Sequence, residues 1–247
     1  MIKASTFGSL KDTELFFSKH VSISYDTLEK DDSAEYKVLV QIEPISTHGH
    51  IQTFHRNTSE FDLVLTWNDG LLKNSNSKLF PFGTCWIEID NRYIFPKAKD
   101  LSIIASAKDY APGHKLRHQI IKKYPENLSI YGYGYNPIEN KITALKDYRF
   151  SLIIENEPSN NWFTEKLIDC LVTGTVPVFW GCPNIHEFFD TRGFILFNNI
   201  NQIPSIKADC NKTVYENLLP FIKKNYYSAL YYVNIFDRIK KTVENEL

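Results

Sequence analysis

Residues 148–181, YRFSLIIENEPSNNWFTEKLIDCLVTGTVPVFWG, constrain the fold more than any other stretch. Residues 150–154 form an apolar run of the length of a buried strand. Residues 163–172 follow with helical spacing, Phe163, Leu167, Cys170 and Leu171 falling on one side. Residues 176–180, entered past Gly174, read as a second buried strand. Two strands joined through a helix run parallel, because a parallel pair needs a crossover that a tight turn cannot supply. The polar residues of this βαβ unit are grouped. Glu155, Asn156 and Glu157 follow the first strand, and Thr164, Glu165 and Lys166 open the helix. Parallel sheets bind ligands at the carboxyl ends of their strands, where helix N-termini also point.

The remaining pattern is also α/β. Strands are expected over 2–7, 21–25, 37–42, 61–67 and 80–87, a helix over 12–19 and a loop over 28–36. Residues 90–100 break the pattern around Pro96 and read as a linker. A second series follows: a strand at 101–105, a basic amphipathic helix at 114–123 with Leu116, Ile120 and Ile121 inward, and a strand at 128–131 ending in glycine turns. Residues 138–146 read as a short helix or loop, and 194–197 as another strand. Helices at 214–227 and 230–244 carry aromatic faces and are expected to cross back and brace the first domain. The expectation is two Rossmann-like domains facing a cleft, a small α/β domain over 1–97 and a second over 98–247 with a helical tail.

Composition narrows the class. A net charge of −1 gives no general attraction to nucleic acid or anionic membrane. No apolar run approaches the ~20 residues that span a bilayer. The first residues lack a basic segment followed by an apolar one, so no signal peptide is read and a soluble, cytoplasmic protein is expected. Cys85, Cys170, Cys182 and Cys210 are widely spaced and read as core thiols.

Gly113 with His114, Lys115, Arg117 and His118 at a helix start makes an anion site, with Ser106 and Lys108 just upstream. Arg117 is the phosphate ligand in this reading, whereas Lys115 and His118 read as a solvated face. Glu155, Glu157 and Glu165 offer carboxylates to ribose or sugar hydroxyls, and Lys166 would neutralise a pyrophosphate. Glu165 has a purely structural alternative, complementing the helix dipole. His48, His50 and His55 have the residue types of a zinc site without a completing ligand, and Glu88 with Asp90 faintly mimic an acidic metal-binding pair. No metal site is expected from either. P-loop, GxGxxG and GxSxG motifs are absent.

The run 148–181 resembles the sugar-nucleotide motif of the α1,3-fucosyltransferases, glycosyltransferase family 10. The matching residues are Tyr148, Phe150, Leu152, Glu155, Asn156, Thr164, Glu165, Lys166, Val176, Pro177 and Gly181. The segment SAKDYAPGHKLRHQII looks like that family's pyrophosphate region, so the resemblance covers roughly residues 106–190; Glu43-Pro44 matches only loosely. The resemblance implies a GT-B fold and an inverting, metal-independent transfer of a sugar, most simply L-fucose from GDP-fucose, to a glycan hydroxyl. The nucleotide sugar is then a co-substrate, with no cofactor. It implies Arg117 and Lys166 on the diphosphate, with Ser106 and Lys108 nearby, and Glu165 on the ribose. Glu155 would lie near the sugar, with Tyr148 and Asn156 lining the pocket. Glu43 would be the general base, with Asp62 in reserve. The alternatives are a UDP-sugar donor, or a sugar-nucleotide or glycan-binding protein without catalysis.

Overall fold

The computed structural model describes residues 1–44, 46–47 and 57–247. The chain divides into two compact units: Met1–Phe82 with Ser159–Trp162 and Asn234–Leu247, and Gly83–Pro158 with Phe163–Val233. The linker expected over 90–100 therefore lies inside the second unit. Lys97 ties it there, its ammonium donating to the carbonyls of Leu145, Lys146 and Thr173 and to Thr175 Oγ1.

The first unit is built on a five-stranded parallel sheet. Its strands are β2 (Ser5–Gly8), β4 (Val21–Tyr25), β5 (Tyr36–Val40), β6 (Leu63–Thr66) and β7 (Ser77–Leu79), adjacent in that order. β1 (Ile2–Lys3) and β3 (Phe16–Phe17) form a separate antiparallel pair. Val21, Ile23, Tyr25, Val38, Val40, Leu63 and Leu65 fill one core, whereas Leu39 and Val64 pack with Phe61 in a second cluster. Both faces of the central strands are buried, as a parallel sheet requires.

Two expected elements differ. Residues 12–19 form no helix, because Leu15 and Phe17 are buried while Phe16 is exposed, a period of two that suits the strand β3. The strand expected at 80–87 is replaced by β7 just before it, and Pro81 withholds the donor a ladder would need. The last helix, α5 (Ile235–Glu244), does join the first unit's core through Ile235, Ile239 and Val243. Arg238 on α5 donates to the carbonyls of Pro81 and Phe82, its guanidinium lying 4.6 Å from the Phe80 ring centroid.

The second unit carries another five-stranded parallel sheet. Its strands are β8 (Lys99–Ile104), β9 (Ser129–Tyr131), β10 (Tyr148–Ile154), β11 (Val176–Trp180) and β12 (Ile195–Leu196), in the order β12-β11-β10-β8-β9. Its helices are α1 (Pro112–Lys123), α2 (Glu165–Val172), α3 (Ile203–Asp209) and α4 (Lys212–Leu230). The expected βαβ unit is present as β10-α2-β11, with Phe150 in register with Val176 and Leu152 with Val178. α1 approaches the end of β10 closely. A Cβ on Gly113 would stand 1.7 Å from the Glu155 carbonyl oxygen, so only glycine fits there.

Candidate active site

The end of β10 sets the geometry. Glu155 leaves the strand with its N–H bonded to Trp180 O, and its carboxylate turns into the unit with no solvent exposure. One oxygen accepts from Thr164 N at 2.8 Å, and both accept from Thr164 Oγ1, at 3.1 and 2.9 Å. Lys166 Nζ lies 3.4 Å from Glu155 Oε2 and donates to Thr164 Oγ1 at 3.0 Å. Thr164 is also the N-cap of α2, its hydroxyl accepting from Lys166 N. The carboxylate thus fixes both the start of α2 and its lysine.

Glu165, next on the helix, is also buried. Lys141 Nζ stands 3.2 Å away and Lys166 Nζ 3.5 Å away. Burial alone would raise the Glu165 carboxyl, but the two ammonium groups outweigh it and hold it at about 2. Burial opposes the Lys166 charge, but Glu165 and Glu155 raise its affinity for the proton above the ordinary value. One turn further, Asp169 accepts from Trp86 N at 2.7 Å and from Lys141 Nζ at 3.1 Å. Burial pushes the Asp169 carboxyl up, against the pull of Lys141. The exposed Trp86 ring lies 3.9 Å from that ammonium.

α1 supplies the other cation. Arg117 is buried, one terminal nitrogen donating to Asn156 Oδ1 at 2.9 Å while Nε has no partner among the described residues. Arg117, Glu155, Asn156, Thr164, Glu165 and Lys166, expected from sequence, therefore form one contiguous cluster. Ser106 and Lys108 follow β8, half-buried and exposed respectively, and His118 donates through Nε2 to Lys108 O. Lys115 is solvated as expected, and His118 is engaged by that carbonyl and by Tyr135 OH.

Tyr148 is not brought into this cluster. It begins β10, whereas Glu155 follows its end, a separation of about 20 Å along the strand. Its hydroxyl pairs with Tyr131 OH at 2.7 Å, which gives it a place in the frame of the sheet.

In the first unit, Glu43 follows β5, half-buried, with its N–H donating to Asp26. Asp62 precedes β6 and accepts from Lys37 N at 2.7 Å, which places it at the amino end of that sheet rather than the end that carries Glu43. Glu88 precedes the 3-10 turn Ile89–Asn91 and Asp90 lies within it, both exposed. His48, His50 and His55 lie outside the described residues. Among the described residues no group of three His, Cys, Asp or Glu side chains is arranged to hold a metal. Nor is any described helix long and apolar enough to cross a membrane.

Residues 96–217 match the family model "Glycosyltransferase family 10 (fucosyltransferase) C-term". The site cluster of the second unit lies within that span. Over that span the chain is similar to the family 10 fucosyltransferases. The chain is 31% identical over 125 residues to the alpha-(1,3)-fucosyltransferase FucT of Helicobacter pylori, covering 46% of this chain and 26% of that protein. It is 51% identical over 135 residues to a fucosyltransferase-like protein of Arabidopsis thaliana, covering 52% of this chain and 25% of that one. The matches thus span about a quarter of the length of these relatives. An α1,3-fucosyltransferase crystallised with GDP-fucose superposes with a TM-score of 0.55 at 18% identity, over 80% of this chain and 68% of that one. TarM superposes at 0.57 and 12% identity, over 91% of this chain and 54% of that one. With the two parallel sheets, these likenesses give the chain a GT-B-like α/β fold.

Sequence reasoning missed two residues of the cluster, Asp169 and Lys141, and a buried carboxylate of the first unit, Asp26. Asp169 was legible in principle, one helical turn after Glu165 on the same face. Lys141 sits in a 3-10 turn between β9 and β10, and nothing in its sequence context announced its two carboxylate partners. Asp26, buried at the end of β4, reads in sequence as an ordinary turn residue.

Proposed function

We propose that the chain is an inverting glycosyltransferase that uses a nucleotide sugar, GDP-fucose, and a glycan hydroxyl, without a bound metal. The observation that carries this reading is the cluster at the end of β10, where Arg117 and Lys166 provide cations beside the buried Glu165 carboxylate. In this reading the two cations hold the diphosphate and Glu165 accepts the ribose hydroxyls. The low affinity of Glu165 for protons suits it to accept rather than donate. Glu155 acts behind the surface, holding Thr164 and Lys166 in place.

The acceptor oxygen attacks the anomeric carbon while its proton passes to Glu43, and the bond from that carbon to the diphosphate oxygen breaks. The departing electron pair stays on the diphosphate, where Arg117 and Lys166 stabilise the added charge. Glu43 takes the base role by its resemblance to the family pattern and by its place at a carboxyl strand end, which Asp62 lacks.

Calorimetric titration with GDP, UDP, CDP and ADP in EDTA tests the donor site. Selective GDP binding is the expected result. Preference for UDP, the nucleotide present in a TarM complex, would keep the mechanism and replace fucose. Binding of none would overturn the donor reading. Arg117→Ala should weaken GDP binding by about 2 kcal/mol, the scale of a charge-assisted hydrogen bond. Glu43→Gln should abolish transfer while GDP affinity is unchanged. Transfer that survives in Glu43→Gln would remove Glu43 from the mechanism, and a glycan-binding protein without catalysis would bind GDP and show no transfer at all.

A further inference from the structure

We infer that His114 is a neutral hydrogen-bond donor to the diphosphate of the nucleotide, acting through Nε2–H beside Arg117. The inference rests on the reading that this site takes a nucleoside diphosphate.

The first turn of α1 offers an anion few backbone donors. Pro112 has no N–H. Gly113 gives its own to Asn156 O at 2.8 Å, and Lys115 returns its own to Ala111 O at 3.2 Å. Side chains must therefore supply most of the donors. His114 is only 4% exposed, and its Nδ1 accepts the Ala111 N–H at 3.3 Å. A ring nitrogen that accepts carries no proton, so the proton of the neutral ring resides on Nε2. Among the described residues that N–H has no partner, in contrast to His118, both of whose nitrogens are engaged.

Arg117 lies three positions along the same helix, hence on the same face. It repeats the pattern, with one terminal nitrogen on Asn156 and a buried Nε that has no partner. An unpartnered Nε2–H and a buried, unpartnered Nε on one face of one helix are satisfied together by an anion with several oxygens.

The surrounding charges explain why the donor is neutral. Burial, followed by Arg117, Lys108, Lys166 and His118, lowers the ring to about 4. The Tyr110 ring meets it edge-on at 4.6 Å, while Glu155 and Glu165 act on Arg117 from β10 and α2. A further positive charge would be repelled by these cations, but an N–H dipole adds direction without that cost.

The test compares His114→Phe, which keeps a ring and removes the donor, with His114→Gln, which retains an N–H. GDP titration should show affinity reduced ~10-fold in His114→Phe, the value of one hydrogen bond, and largely restored in His114→Gln. The affinity ratio of wild type to His114→Gln should stay flat between about pH 5.5 and 8, because the ring does not titrate there. Nitrogen-15 NMR of the wild-type ring should report the Nε2–H tautomer across that range, with Nε2 shifting on addition of GDP but not of guanosine. Wild-type affinity in His114→Phe, or a ring that GDP leaves unmoved, would overturn the assignment. If His114→Phe fails to fold, the wild-type NMR titration decides. Failure of the wild type to bind any nucleoside diphosphate would instead remove the donor reading itself.

Discussion

The two sheets each bury a carboxylate just past a carboxyl strand end, Asp26 after β4 and Glu155 after β10, and they stabilise it by different means. Glu155 is met by the Thr164 N–H and hydroxyl and by the Lys166 ammonium. Asp26 accepts from Ile42 N at 2.7 Å and from Glu43 N at 3.2 Å, with no cation among its described partners. Its backbone adopts φ 52°, a left-handed turn that aspartate tolerates better than most residues. Burial, partly opposed by those two N–H groups and reinforced by the Glu43 charge, raises the Asp26 carboxyl to about 7. The same requirement is met in one unit by a fixed ion pair and in the other by a group whose charge depends on pH. A buried carboxylate with a lysine beside it anchors a constant field, whereas one without it can exchange a proton near neutrality.

The sharpest way to break this comparison is Glu155→Ala. It should cost about 3–5 kcal/mol in chemical denaturation, since Lys166 and the Thr164 N–H lose their partner. A loss under 1 kcal/mol, roughly the worth of a surface pair, would show that the pair is not buried in effect.

The Asp26 side of the contrast predicts a pH effect next in size. Between its unfolded value of 3.8 and its folded value of about 7, the folded chain keeps a proton that the unfolded chain releases. This contribution to stability is therefore full below the unfolded value, falls as pH rises through that window, and is absent above it. The change across that window is on the order of 2–4 kcal/mol, and Asp26→Asn, neutral at every pH, should remove this pH dependence. Parallel stability curves for wild type and Asp26→Asn from about pH 4 to 8 would mean that Asp26 ionises normally.

Gly113→Ala tests how far the Glu155 site depends on the close approach of α1. The added methyl must displace the Glu155 carbonyl, at a cost of about 1–3 kcal/mol together with weaker GDP binding. Unchanged melting would show that the helix can shift freely. Cys170→Ser serves as the control in the same unit, because Cys170 is fully buried and its thiol donates to Thr175 O at 3.3 Å. A loss of about 1 kcal/mol with normal GDP affinity is expected, and a selective loss of binding would contradict its core role.

How much of this was legible follows from the range of each signal. The β10-α2-β11 unit, the strands at Val21–Tyr25 and Tyr36–Val40, and the donor-side cluster could be read because apolar period and strand-end polarity are local properties. The region 12–19 was misread because two adjacent phenylalanines fit a helical stripe as well as a strand, and only pairing of β3 with β1 separates them. Tyr148 was placed by its motif, which does not say which end of the strand faces the ligand.

Local spacing was enough to set the architecture of parallel α/β sheets and the side chains at the end of β10. Those follow from spacing over a few residues, and spacing is all a strand or helix needs to choose its buried face. The state of those side chains was set by the folding of distant segments against one another. That folding brought Lys141 onto Glu165 and Asp169 and, among the described residues, left Arg117 Nε and His114 Nε2 without acceptors and enclosed Asp26 without a cation. Charge and proton affinity depend on burial and on partners distant in sequence, so no local pattern encodes them.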